Sequence, residues 1–305
     1  PPPPPPPPVF NATAPTENYT SDVSSAASDV YKRQSFEYFP PKTDAGKAKL
    51  LEETTPALND LAPAFFSVTY GAGGSTRDTT RDIVSAIRGA GIDVAPHLSF
   101  GGDSAEAVTA LLDDYREQGV SRVVALRGDM PSGMGGAMQL VHARDLVALI
   151  REHSGDHFHI EVAAYPEIHP EATSYMDDLH FLKGKLDAGA DSAITQYFYN
   201  VESYFYFLDQ CAAIGIDKPI YAGIMPITNF ANLSRFSRNC GAEIPRWIRK
   251  RMEGYGDDLD SVRKFGTEVV TQLCQTLLES GAPGIHFYTM NQVDPTREIC
   301  NNLGL

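Results

Sequence analysis

The chain has 305 residues, a formal net charge of -14 and a pI near 4.9, and its 42 % hydrophobic and 10 % aromatic content can fill a large core in water. It contains no apolar run of the ~18 residues that a membrane span requires and no Lys/Arg cluster to neutralise phosphates, so neither a membrane nor nucleic acid is an expected partner. Cys211, Cys240, Cys274 and Cys300 are widely spaced without a CxxC pair, which suits reduced packing thiols in a cytoplasmic protein better than disulfides or a zinc site.

Residues 1–34 open with PPPPPPPP and run on as a Ser/Thr/Pro-rich stretch without the apolar segment of a signal peptide. They read as a disordered or artefactual extension joined abruptly to SFEYFPP, and the sequons at Asn11 and Asn18 inside them read as chance matches. From Ser35 to the C-terminus, residues 35–305, one phrase repeats. Runs rich in β-branched and aromatic residues follow one another: SFEYF, AFFSVTYG (64–71), DVAPHLSF (93–100), RVVALRGD (122–129), HIEVAAYP (159–166), SAITQYFY (192–199), IYAGIMPI (220–227) and IHFYTMN (285–291). Between them lie stretches of helical spacing, such as TRDIVSAIRGAG and SAEAVTALLDDYREQG, several closing on glycine. Eight βα phrases in one domain predict a (β/α)8 TIM barrel, with a doubly wound open sheet as the structural rival.

A barrel places its chemistry at the C-terminal strand ends. Unusual polar residues gather there: Glu37, Thr69, His97, Arg127 with Asp129, Tyr165 with Glu167 and His169, Gln196, and Tyr288 with Asn291. Such a ring of acid, base and hydrogen-bonding groups describes an enzyme site. Taken singly, each residue has a plainer reading. Glu37 could be a strand acid paired to a Lys or Arg, Asp129 a helix N-cap, His97 a satisfied core histidine, and Lys185 a solvated helix residue. GAGGSTRD is a glycine-rich strand-to-helix turn but not a GxGxxG fingerprint. His153, His157 and His159 lie at a helix end and strand start, away from the rim, and no metal is expected.

The segments SFEYFPPK, SVTYGAGGSTRD, APHLSF, VALRGD, AAYPEIHPEA, DAGADSAITQYFYN, GIMPITNF and IHFYTMN resemble, in order and spacing, the methylenetetrahydrofolate reductases of the bacterial type. That resemblance implies a flavin-dependent barrel in which FAD passes hydride from NADH or NADPH to 5,10-methylenetetrahydrofolate. It further implies a ping-pong cycle with the dinucleotide and the folate sharing one site, and a homo-oligomer. Glu37 matches the catalytic acid. Burial beside Phe36, Tyr38 and Phe39 is expected to raise its pKa so that it can protonate the departing folate nitrogen. Asp129 matches a second catalytic carboxylate that touches both flavin and pterin. Thr69, Tyr70, Ala72, His97, Arg127, Gly128, His142, Ala143, Tyr165, His169, Ala172, Asp178 and Lys185 match cofactor positions, Lys185 suiting a pyrophosphate and Asp178 a ribose hydroxyl. Gln196, Asn232, Phe236 and Gln292 match substrate positions, with Gln196 at the pterin edge and Phe236 as a stacking platform or, more plainly, a packing aromatic. The sequence departs from the best-studied bacterial pattern at His142, Phe181, Gly184, Asn232 and Gln292. Another flavin barrel, of the proline dehydrogenase kind, and a non-catalytic folate- or flavin-binding barrel are the alternative readings.

Overall fold

The computed structural model describes residues 34–70, 76–99, 104–127 and 142–305. Each predicted run yields a strand: β1 (Gln34–Tyr38), β2 (Phe66–Val68), β3 (Val94–Leu98), β4 (Arg122–Ala125), β5 (His159–Ala164), β6 (Ser192–Thr195), β7 (Ile220–Ile224) and β8 (Ile285–Tyr288). The strands pair in sequence order, all parallel, and β8 returns to β1 through Phe36↔Phe287 and Glu37↔Tyr288. That closure makes the fold a (β/α)8 barrel and excludes the open sheet. The strands are shorter than the apolar runs because the run ends leave the ladder and become rim loops.

Eleven α-helical segments are seen among the described residues. After β1, α1 (Asp44–Lys49) passes through a π-helical stretch, Leu50–Thr54, into α2 (Thr55–Asn59). Then come α3 (Arg77–Gly89), α4 (Ala105–Glu117), α5 (Ala143–Ser154), α6 (Tyr175–Asp187), α7 (Val201–Ala213), α8 (Phe230–Cys240), α9 (Arg246–Tyr255), α10 (Leu259–Glu279) and α11 (Asp294–Leu303). Their starts are chemically marked. Ser104, Ser174 and Asn229 accept N–H bonds from Ala107, Asp177 and Asn232 at the N-termini of α4, α6 and α8.

Strand alternation divides the apolar side chains between two layers. Phe36, Tyr38, Phe66 and Phe287 point outward into the core beneath the helices. Tyr38 stacks on Phe66 at 5.1 Å, and truncating the fully buried Phe66 to alanine would cost about 3–5 kcal/mol. The inward positions form a smaller apolar cluster, Phe65, Ala95, Val124 and Ile194. Above and below that plug the interior is polar. Gly223 of β7 permits the closeness, since a Cβ there would lie 1.9 Å from the Thr195 carbonyl oxygen.

Below the plug, the wholly buried Glu161 is bound by the Arg122 guanidinium and the Ser192 hydroxyl, with His159 Nε2 at 3.3 Å. Burial pushes its carboxyl upward, but hydrogen bonding by His159, the Arg122 charge and Ser192 together hold it below the ordinary carboxylate range. Arg122 also lies over the Phe65 ring, 4.5 Å from its centre. His153 and His157 take other partners, Asp113 at 2.9 Å and the Val120 carbonyl at 3.0 Å. Among the described residues no group of histidine, cysteine and acid side chains could hold a metal, and no helix is long and apolar enough to cross a membrane. All four cysteines are free, three of them buried and Cys240 half-buried.

Candidate active site

Above the plug, at the C-terminal rim, Glu37 faces inward because the outward positions of β1 are taken by Phe36 and Tyr38. Its Oε2 lies 3.2 Å from His97 Nε2 and 3.5 Å from His286 Nε2. His286 is wholly buried and pinned by a 2.7 Å contact between its Nδ1 and Ser35 Oγ, which leaves Nε2 as the nitrogen presented to Glu37. Thr289 Oγ1 donates to the Glu37 backbone carbonyl at 2.7 Å, fixing the strand beneath the acid. Tyr288 donates to the Thr195 carbonyl at 2.7 Å, and burial pushes its phenol well above the ordinary value, so it is a neutral wall of the site.

The expected rise in the Glu37 pKa is corrected by this geometry. Burial does push the carboxyl up, but the charge of His97 and the hydrogen bond from His286, with smaller contributions from the same two rings, outweigh it and bring the value down to about 2. The flanking aromatics are not what the carboxylate meets, since Phe36 and Tyr38 point the other way. Among the described residues the ionic partners of Glu37 are these two histidines and not a Lys or Arg. His286, Ser35 and Ser67 were missed in the sequence, although Ser35-x-Glu37 and His286-x-Tyr288 carry the signal, polar residues alternating in apolar strands.

A second group lines the rim from β4 to α6. The Tyr165 and His169 rings meet edge to face at 4.5 Å, and the His169 backbone N–H donates to Asp178 Oδ2 at 2.8 Å. Lys185 donates its ammonium to the Ala163 carbonyl, and burial, offset in part by the nearby Asp178 charge, lowers it to about 8. Arg127 pairs with Glu171 at 2.6 Å, and the Ala172 N–H donates to the His169 carbonyl at 2.9 Å. An ammonium this desolvated gains from an added anion, and the Arg127 guanidinium is part exposed on the same flank, so these donors are of the kind the diphosphate of FAD would take. Thr69 and Tyr70 stand half-buried past β2, and His97 closes the same side. His142 and Ala143 open α5, where the His142 N–H donates to Asp145 at 3.1 Å. Ala72, Gly128 and Asp129 lie outside the described residues.

The substrate positions are less gathered. Gln196 borders a small cavity with Tyr165, Tyr197 and Cys240. Phe236 packs partly buried against the outer core with the Arg235 guanidinium 5.3 Å from its ring centre. Asn232 is exposed and accepts from Arg235 at 3.3 Å, and Gln292 is exposed in the turn after β8.

A closed (β/α)8 barrel with an acid between imidazoles on its catalytic rim and an anion-seeking flank is built as an enzyme barrel. The family model described as methylenetetrahydrofolate reductase matches residues 23–304. The 5,10-methylenetetrahydrofolate reductase of Pectobacterium carotovorum subsp. carotovorum is 41 % identical over 272 residues, 89 % of this chain and 90 % of that protein. That of Escherichia coli (strain K12) is 40 % identical with the same coverage. Methylenetetrahydrofolate reductase (NADH) 1 of Zea mays is 37 % identical over 93 % of this chain but 50 % of its own length. The chain belongs to the methylenetetrahydrofolate reductase family. A solved structure, a protein from Clostridium thermocellum that binds two copies of 5-methyl-5,6,7,8-tetrahydrofolic acid, shares the fold with a TM-score of 0.61 at 18 % identity, over 88 % of this chain and 93 % of that one.

Proposed function

We propose that the protein reduces 5,10-methylenetetrahydrofolate to 5-methyltetrahydrofolate, with FAD resident on the flank from Arg127 to Lys185 and a nicotinamide dinucleotide as reductant. The observation that carries this reading is the Glu37–His97–His286 cluster at the rim of a member of this family. When bound, FAD supplies the carrier that takes hydride from the nicotinamide and yields it to the folate. The chain's own task is the proton. The methylene carbon accepts hydride only once the folate's five-membered ring opens to an iminium ion, and opening requires a proton on the departing nitrogen.

Glu37 is ionised between two rings in the ligand-free protein, so it must take up a proton before it can give one. A folate covering the rim removes water from the acid and pushes its carboxyl back up, so that a proton taken from solvent as the folate binds sits on the carboxyl for delivery to the departing nitrogen. Tyr165, His169 and Lys185 hold the cofactor side, Gln196 orients the pterin edge, and Phe236 stacks on the substrates. Dinucleotide and folate occupy the site in turn, a ping-pong order. The names of the plant relatives specify NADH, which makes NADH the reductant to test first.

Anaerobic stopped-flow absorbance tests the reading. The wild-type flavin should bleach with NADH and recover with methylenetetrahydrofolate, while Glu37→Gln should bleach normally and recover about 10²–10⁴-fold more slowly. Recovery of the variant at the wild-type rate would remove Glu37 from the role, and a wild-type flavin that ignores the folate would reject the substrate.

A further inference from the structure

Glu167 is a rim carboxylate that the chemistry above leaves unused. It sits on the loop between β5 and α6, between Tyr165 and His169, half-buried, and burial raises its carboxyl above the ordinary range. No ion pair reaches it among the described residues; its partners are hydrogen-bond donors from two other elements. Oε2 accepts the backbone N–H of Glu243, just past α8, at 2.7 Å, and Oε1 accepts Ser203 Oγ of α7 at 3.3 Å.

The end of α8 is seated on the same loop by a second, steric device. Gly241 closes the helix at φ 78°, and a Cβ there would stand 3.1 Å from Pro170 Cγ and 3.7 Å from the Ile168 carbonyl oxygen. Ile168 itself holds a left-handed φ of 71°, a cost accepted where surrounding contacts fix the loop. From below, the Tyr197 hydroxyl reaches Ser237 Oγ at 3.2 Å and Cys240 Sγ at 3.3 Å. These contacts fasten the C-terminal half of α8, and the exposed Asn232 and half-buried Phe236 ride on that helix.

From this seam we infer that Glu167 is a positioning residue: its carboxylate clamps the end of α8 to the cofactor-side loop and thereby sets where Phe236 and Asn232 stand at the rim, and with them the affinity for the folate. The inference rests on the proposed function for its substrate, but the clamp exists independently of it. A glutamine can keep both bonds, its carbonyl accepting from Glu243 and its amide donating to Ser203 Oγ, whereas an alanine removes the partner of the Glu243 N–H and of Ser203 Oγ at once.

The test compares Glu167→Ala and Glu167→Gln in the flavin-loaded full chain. In Glu167→Ala, amide hydrogen exchange across residues 230–243 should quicken about tenfold and the folate KM should rise about tenfold, the worth of one charge-assisted bond. The limiting kcat and the flavin affinity should stay within about twofold, and Glu167→Gln should restore both readouts to within about threefold. Unchanged exchange in the alanine variant, faster exchange with an unchanged KM, or a glutamine variant as impaired as alanine would each overturn the assignment. If the wild type fails to turn over the folate, the functional reading falls instead, and the exchange comparison decides the clamp by itself.

Discussion

The barrel encloses two glutamates, one at each end, and both are held below the ordinary carboxylate range although burial pushes both upward. Glu161 at the floor has no exposed surface and is bound by a guanidinium, a hydroxyl and an imidazole at once. Glu37 at the rim keeps 17 % of its side chain exposed, and the groups that lower it are both imidazoles. The difference lies in the partners. A guanidinium never releases its proton, so Glu161 has a fixed counter-charge in Arg122 and braces the structure. Glu37 has no guanidinium or ammonium against it among the described residues and keeps part of its side chain exposed, so its charge can be changed by what binds above it. Burial and a depressed pKa alone therefore do not distinguish a chemical acid from a structural one.

Reciprocal substitutions give the sharpest break in this comparison. Glu37→Gln should lose the folate half-reaction by the margin given above and, at neutral pH, also give up the stability that the depressed carboxylate contributes. Glu161→Leu leaves the half-buried Arg122 and His159 without their acidic partner and should cost about 1–3 kcal/mol, readable as a loss of about 5 °C in melting temperature, with kcat nearly unchanged at low temperature. A floor variant that kept its stability but lost the folate step would erase the proposed division between the two ends.

Acid titration supplies a smaller, signed effect. Because the folded value of Glu37 is about 2 against an ordinary 4.5, the stability it contributes is present above about pH 4.5 and is lost as pH falls toward 2. Denaturant midpoints measured from pH 6 to pH 2 should fall less steeply in Glu37→Gln than in the wild type across that window. His97→Asn removes the largest lowering influence, so it should shift the Glu37 value upward and narrow the window from its acid side. A midpoint profile in His97→Asn identical to that of the wild type would mean that the ion pair with His97 contributes nothing in solution.

Much of this was legible in the chain before any coordinates. The alternating runs gave the barrel because each βα phrase is local, and the rule that catalysis sits at strand ends located Glu37, His97, Arg127 and Gln196 without knowledge of their neighbours. The same rule could have separated the glutamates, since Glu161 lies near the start of β5 and Glu37 near the end of β1. What stayed hidden depends on distant pairing. His286 reaches Glu37 across 249 positions of sequence, and only barrel closure brings β8 back to β1. The direction of the Glu37 shift was misread for that reason: its chain neighbours are apolar, but strand alternation turns them away and offers histidines from other strands.

Asn291 shows how that closing seam continues above the last strand pair, and it carries the smallest expected effect. Its Oδ1 accepts the Phe39 N–H at 3.1 Å and its Nδ2 donates to the Phe39 carbonyl at 2.8 Å, so one side chain extends the β1–β8 ladder past its end. Its backbone holds a left-handed φ of 56°, which asparagine tolerates better than most residues. Alanine there loses both bonds and meets the unfavourable backbone, whereas glycine loses the bonds but accepts the φ. Asn291→Ala should therefore destabilise by about 2–3 kcal/mol and Asn291→Gly by about 1 kcal/mol less, both read by denaturant unfolding. Equal losses in the two variants would assign the whole effect to the hydrogen bonds. A concurrent slowing of the folate step would show that the seam between β1 and β8 is what holds Glu37 and His286 in register.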